Sequence, residues 1–93
     1  MTAQEAGVDH EFRQRVAEAM TTALTRLLDR SEPVTEDMRL MEELGLSSTL
    51  GLELLLEVED RLDILVDIEL MDADQMKTVG DMATFVAAHC QSA

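Results

Sequence analysis

Two adjacent serines, Ser47 and Ser48, are the residues of this chain best placed for covalent chemistry. They close a short apolar loop, Leu44-Gly45-Leu46, and an acidic amphipathic stretch begins at once, from Thr49 to Asp60. A serine at a helix start stands beside unpaired backbone N–H groups and the positive end of the macrodipole. That setting suits a phosphate. The chemistry it permits is a phosphodiester-linked group carried on the serine, with the serine as acceptor and not as catalyst. No histidine base lies near either serine in sequence, since His10 and His89 stand at the two ends of the expected fold. No glycine loop of the nucleotide type is present. The acids are spread along helices and do not form a paired acid–base couple. Asp72 and Asp74 suggest calcium, but the central glycine and terminal glutamate of an EF-hand loop are missing, so solvated caps are the better reading. The chain therefore reads as a non-enzyme without a metal site.

The serines must be held by the elements around them. The second helix is expected over about Ser48 to Leu62, with Ser47 or Ser48 as its N-cap. Leu54, Leu55, Val58 and Leu62 form its core face; Glu53, Glu57, Glu59 and Asp60 lie on the solvent side. Gly51 weakens this helix slightly and puts no side chain beneath the serine. A first helix, capped by Asp9 and running to about Arg30, carries the stripe Phe12, Val16, Ala19, Met20, Ala23, Leu24, Leu27, Leu28. Its opposite face holds Arg13, Arg15, Glu18 and Thr22, and Pro33 sets its limit.

Residues 33–47 form a long connection anchored by Val34, Met38, Leu40, Met41, Leu44 and Leu46, with a turn of helix over Asp37–Glu43. A connection this long in a small domain is ordered or functional. Ile64-Leu65-Val66 can read as a strand, but one strand cannot pair alone, so a packed loop is expected. A short helix lies within Ile68–Met76, with Leu70, Met71 and Met76 inward. Thr78 and Asp81 form a capping box for the last helix, whose apolar side is Val79, Met82, Ala83, Phe85 and Val86. That helix fades near Ala88-His89-Cys90. The fold class is all-α: a small antiparallel bundle of three main helices plus one short helix, with a long loop between helices 1 and 2. Residues 9–90 make one domain, between flexible ends at 1–8 and 91–93.

The motif Leu44-Gly45-Leu46-Ser47-Ser48, followed by Glu53-Leu54-Leu55 and Glu57-Val58-Glu59-Asp60-Arg61-Leu62, resembles the acyl carrier protein signature. The usual form is L-G-x-D-S-L and then an acidic helix. Ser47 replaces the aspartate and Thr49 the leucine. Lys77-Thr78-Val79-Gly80-Asp81-Met82-Ala83 resembles the start of the family's last helix, so the likeness spans about Met38 to Val86. It implies 4′-phosphopantetheine from coenzyme A on Ser48, with Ser47 as the alternative. It also implies a recognition helix on which Thr49, Leu50, Glu53, Glu57, Glu59 and Asp60 meet partners. The implied function is a discrete carrier of thioester intermediates in polyketide, specialised-metabolite or fatty-acid assembly. The partners would be a phosphopantetheinyl transferase, then acyltransferase, ketosynthase or other enzymes with basic docking patches. An aminoacyl carrier and an unmodified acidic adaptor are the alternatives.

Composition bounds the rest. The net charge of −13 repels nucleic acid and attracts basic protein patches. An apolar content of 46% argues against disorder despite that charge. With only Phe12 and Phe85 as aromatics, the core is aliphatic, with seven Met as adaptable fillers. Any single Met reads as ordinary core filling; the sharper alternative is a core that parts to admit an acyl chain. Cys90 alone forms no internal disulfide and reads as a surface thiol or small packing residue. No apolar run suggests a leader or a membrane span, so a cytoplasmic monomer is the expectation.

Overall fold

The computed structural model describes residues 10–71 and 73–92. The expected cap Asp9, the N-terminal residues 1–8, Asp72 and Ala93 lie outside them. Three helices carry the fold: α1 (His10–Leu27), α2 (Ser48–Leu62) and α3 (Val79–Ala88). α1 packs on both α2 and α3. Val16, Met20 and Leu24 of α1, Leu54 and Val58 of α2, and Val79 and Val86 of α3 are fully buried where they meet. The three-residue and four-residue spacings of the sequence thus locate the core.

α1 ends three residues short of Arg30. The Arg30 N–H donates to the Thr25 carbonyl at 3.0 Å and the Asp29 N–H to the Arg26 carbonyl at 3.1 Å. This is a Schellman closure, with Asp29 in the left-handed position at φ 53°. The proline limits the helix, but the closure stops it first. Glycine takes that conformation without the steric cost of a side chain. Asp29→Gly is therefore expected to raise stability by about 0.5–1 kcal/mol, after the extra freedom of the unfolded glycine is subtracted. Urea unfolding tests this, and a loss of stability would contradict it.

The long connection is ordered through Val34, Leu40, Leu44 and Leu46, all buried. Met41 is the exception: it was expected as an anchor but is 67% exposed. Residues 39–45 make one helical turn, with the Gly45 N–H donating to the Met41 carbonyl at 3.1 Å. Gly45 closes it at φ 60°. Arg13 clasps the connection from α1. Its guanidinium lies 2.9 Å from Glu36 Oε1 and donates to the Gly80 carbonyl (3.1 Å) and Thr84 Oγ1 (3.0 Å). Arg13 thus leaves the solvated face on which its spacing had put it.

The packed-loop expectation for 64–66 is corrected. Ile64–Val66 is a strand, β1, and it pairs antiparallel with β2 (Cys90–Ser92) in the register Ile64↔Ser92, Leu65↔Gln91, Val66↔Cys90. The partner comes from the chain's end, where the sequence carries no strand pattern. Val66 turns its N–H away from β2, and Glu59 Oε2 accepts it at 2.9 Å. A side chain of α2 thereby closes the free edge of β1. The short helix expected within 68–76 is two 3-10 turns, Ile68–Leu70 and Ala73–Gln75. Leu70 is exposed, contrary to its expected inward place, whereas Met71 and Met76 pack against the core. The capping box is present: Thr78 Oγ1 accepts from the Asp81 N–H at 3.1 Å, and Asp81 Oδ2 accepts from the Thr78 N–H at 3.2 Å. His89 is the C-cap of α3, with its ring 4.8 Å from that of Phe85.

Candidate functional site: the head of the second helix and its groove

Leu44 and Leu46 are buried on either side of Gly45, which anchors the loop directly before α2. Ser47 then takes extended backbone, and its Oγ accepts from the Leu50 N–H at 3.2 Å. Ser47 is therefore the N-cap. Ser48 is the first residue of the helix. The sequence left the cap between these two serines, and the hydroxyl bond of Ser47 decides it. Ser47 and Thr49 are exposed, and Leu50 is half-buried against the core.

An open apolar groove of about 480 Å³ begins here. Leu46, Ser47, Gly51 and Leu55 line it from the head of α2, together with Met71, Met76 and Met82. A side chain at Gly51 would face into open space, with only Leu46 Cδ2 near, at 4.0 Å. The missing Cβ keeps the entrance clear. The methionines supply an adaptable wall.

The acidic row of α2 divides in two. Glu53 and Asp60 are exposed, as expected. Glu57 and Glu59, expected on the solvent side, are half-buried and engaged inside the molecule. Glu57 bridges Arg26 of α1 (2.6 Å) and Arg61 (3.0 Å). Those guanidiniums, Arg61 first, hold its carboxyl below the ordinary range. Glu59 caps the edge of β1. Leu52 and Leu56 were missed by the sequence reading. They are 53% and 62% exposed and one turn apart on α2, and Leu52 also borders the groove. The signal was available: two leucines four residues apart that do not belong to the core stripe.

Among the described residues, no group of histidine, cysteine and acidic side chains could hold a metal ion. No described helix is long and apolar enough to cross a membrane. A bundle whose second helix begins on a serine, beside a clear apolar groove, is an arrangement for holding a tethered group. A family model settles what that group is: residues 16–86 match the phosphopantetheine attachment site. This chain belongs to the phosphopantetheine attachment family. Domains of this family carry 4′-phosphopantetheine, are not themselves catalytic, and work with a phosphopantetheinyl transferase and biosynthetic enzymes. The residues here fit the group: the head of α2 holds two adjacent serines and the positive end of the helix dipole, and Gly51 puts no side chain into the groove beside them. No curated protein and no solved structure matches the chain.

Proposed function

We propose that this protein is an acyl carrier whose 4′-phosphopantetheine arm is attached to Ser48 and serves a polyketide, specialised-metabolite or fatty-acid assembly sequence. The observation that carries the reading is the apolar groove that opens beside the first turn of α2. An adaptor that carries nothing has no use for it, and an aminoacyl group would leave it unfilled. When attached, the arm supplies a thiol that holds acyl groups as thioesters. The chain's own residues do the rest. Ser47 ties down the first turn, so the acceptor position is fixed relative to the groove. Gly51 keeps the entrance open.

Partners meet the outer face of α2. Leu52 and Leu56 give an apolar contact, and Thr49, Glu53 and Asp60 surround it with polar and negative groups. A basic enzyme surface with an apolar recess complements that pattern. Glu57 and Glu59 support the face from within through Arg26, Arg61 and the β1 edge. Ser47 stands where the common motif has an aspartate, which favours a tolerant or dedicated transferase. The protein itself performs no chemistry in this scheme.

The test is the intact mass after incubation with coenzyme A, Mg²⁺ and a broad-specificity phosphopantetheinyl transferase. The expected result is a gain of one phosphopantetheine by the wild-type chain. No gain with this enzyme, nor with the transferases of the source organism, by a sample shown to be folded would sink the carrier reading.

A further inference from the structure

The apolar groove shares a wall with a second depression. Met41 and Met76 line both. The second depression has a volume of about 340 Å³ and adds Arg39, Glu42, Asp74 and Lys77. Lys77 is the chain's single lysine, in a molecule of net charge −13. The fold brings it to Arg39 through backbone pairing. Arg39 bridges to Thr78, the Leu40 N–H donates to the Lys77 carbonyl at 2.9 Å, and the Val79 N–H donates to the Met38 carbonyl at 3.0 Å. The Lys77 N–H is itself held by Asp81 Oδ2 at 3.1 Å. The main chain thus sets the two cation-bearing residues side by side, next to the methionine wall that the two depressions share.

The charges there cancel in number. Arg39 Nη1 lies 3.3 Å from Glu42 Oε1, with both side chains more than half exposed. Such a surface pair is weak and can open for another partner. A carried chain ending in a carboxylate would face Glu42 and Asp74 as well as the two cations. A wholly aliphatic chain would place its end against charged groups and offer them nothing. A neutral chain bearing oxygens fits both signs. Keto oxygens accept from Lys77 and Arg39, and hydroxyls can also donate to Glu42 and Asp74.

We propose that this depression is a subsite for the far end of the carried group, and that the cargo is apolar near the thioester and bears keto or hydroxyl groups farther out. The inference rests on the carrier reading above. To test it, the arm on Ser48 is loaded with either of two chains of equal length, one saturated and one with keto and hydroxyl groups in its distal half. Loading is checked by mass. Cleavage of each thioester by hydroxylamine is then timed in the wild type and in Arg39→Met/Lys77→Met, and the methyl signals of Met41 and Met76 are followed by NMR. Both substituted positions are exposed, and circular dichroism verifies the fold.

Two hydrogen bonds predict that the oxygenated chain is released about tenfold more slowly from the wild type than from the double variant. The saturated chain should be released equally from both. The Met41 signal should move with the oxygenated chain only in the wild type. Failure of the folded protein to take up either arm, from the broad-specificity transferase and from those of the source organism, is seen at the mass step and overturns the carrier reading, and this inference with it. Equal release of the oxygenated chain from both loaded proteins overturns this inference alone.

Discussion

Ser48→Ala is expected to take up no phosphopantetheine at all while folding as the wild type does. The two halves of this result have separate causes. The hydroxyl oxygen proposed as acceptor is removed, so no phosphodiester can form at that residue. The first turn of α2 keeps its cap, because the bond to the Leu50 N–H belongs to Ser47. Alanine is also a good helix former at the first helical position. Ser47→Ala is expected to behave in the opposite way. It loses the cap, at a cost of about 1 kcal/mol, and still gains the full mass. Intact mass and urea unfolding of both variants check the pair together. A mass gain by Ser48→Ala, or its loss in Ser47→Ala alone, would move the attachment site by one residue. Loss in both would mean that the transferase needs the cap as well as the acceptor.

Leu54→Ala is expected to cost about 3 kcal/mol, within the 2–5 kcal/mol range of buried leucine truncations. Leu54 is fully buried in the core on the helix that packs against α1, and the Glu57 bridge to Arg26 links the same two helices. The cavity can therefore collapse only in part. A domain of this size has roughly 5–10 kcal/mol in all, so one methyl cluster removes a third or more of it. The midpoint of thermal unfolding should fall by roughly 12–24 °C. Leu52→Ala, two positions away on the same helix, should change stability by under about 0.5 kcal/mol because its side chain is exposed. Thermal and urea unfolding of both variants settle this. Equal costs at the two positions would mean that the core does not run through Leu54.

The sequence made the helical frame readable because local signals and core pattern agree there. The bounds of α2 follow from the serine cap and the Leu54, Leu55, Val58 stripe. The start of α3 follows from Thr78 and Asp81. The sheet was not readable, because Cys90–Ser92 has no alternation and its pairing depends on where α3 delivers it. The end of α1 was misplaced for a related reason. Asp29 takes the left-handed position where glycine is the usual marker, so the stop carried no local sign. At the site, the loop, the serines and the acidic row were legible. What was not legible was how α2 divides its outer residues. Glu57 and Glu59 are held by Arg26, Arg61 and Val66, contacts that span different elements. Leu52 and Leu56 remain exposed because α1 packs against only one side of the helix.

The small sheet has a consequence for how the domain can be tethered. β1 follows the end of α2, and β2 is pinned against it. α2 has 15 residues, which corresponds to about 22 Å of helix between its serine head and that pole. Any chain continued past β2 therefore departs from the far pole of the molecule. A fused domain, a label or a surface attached there would leave the arm's end open to visiting enzymes. An attachment through the 39–47 turn would crowd it.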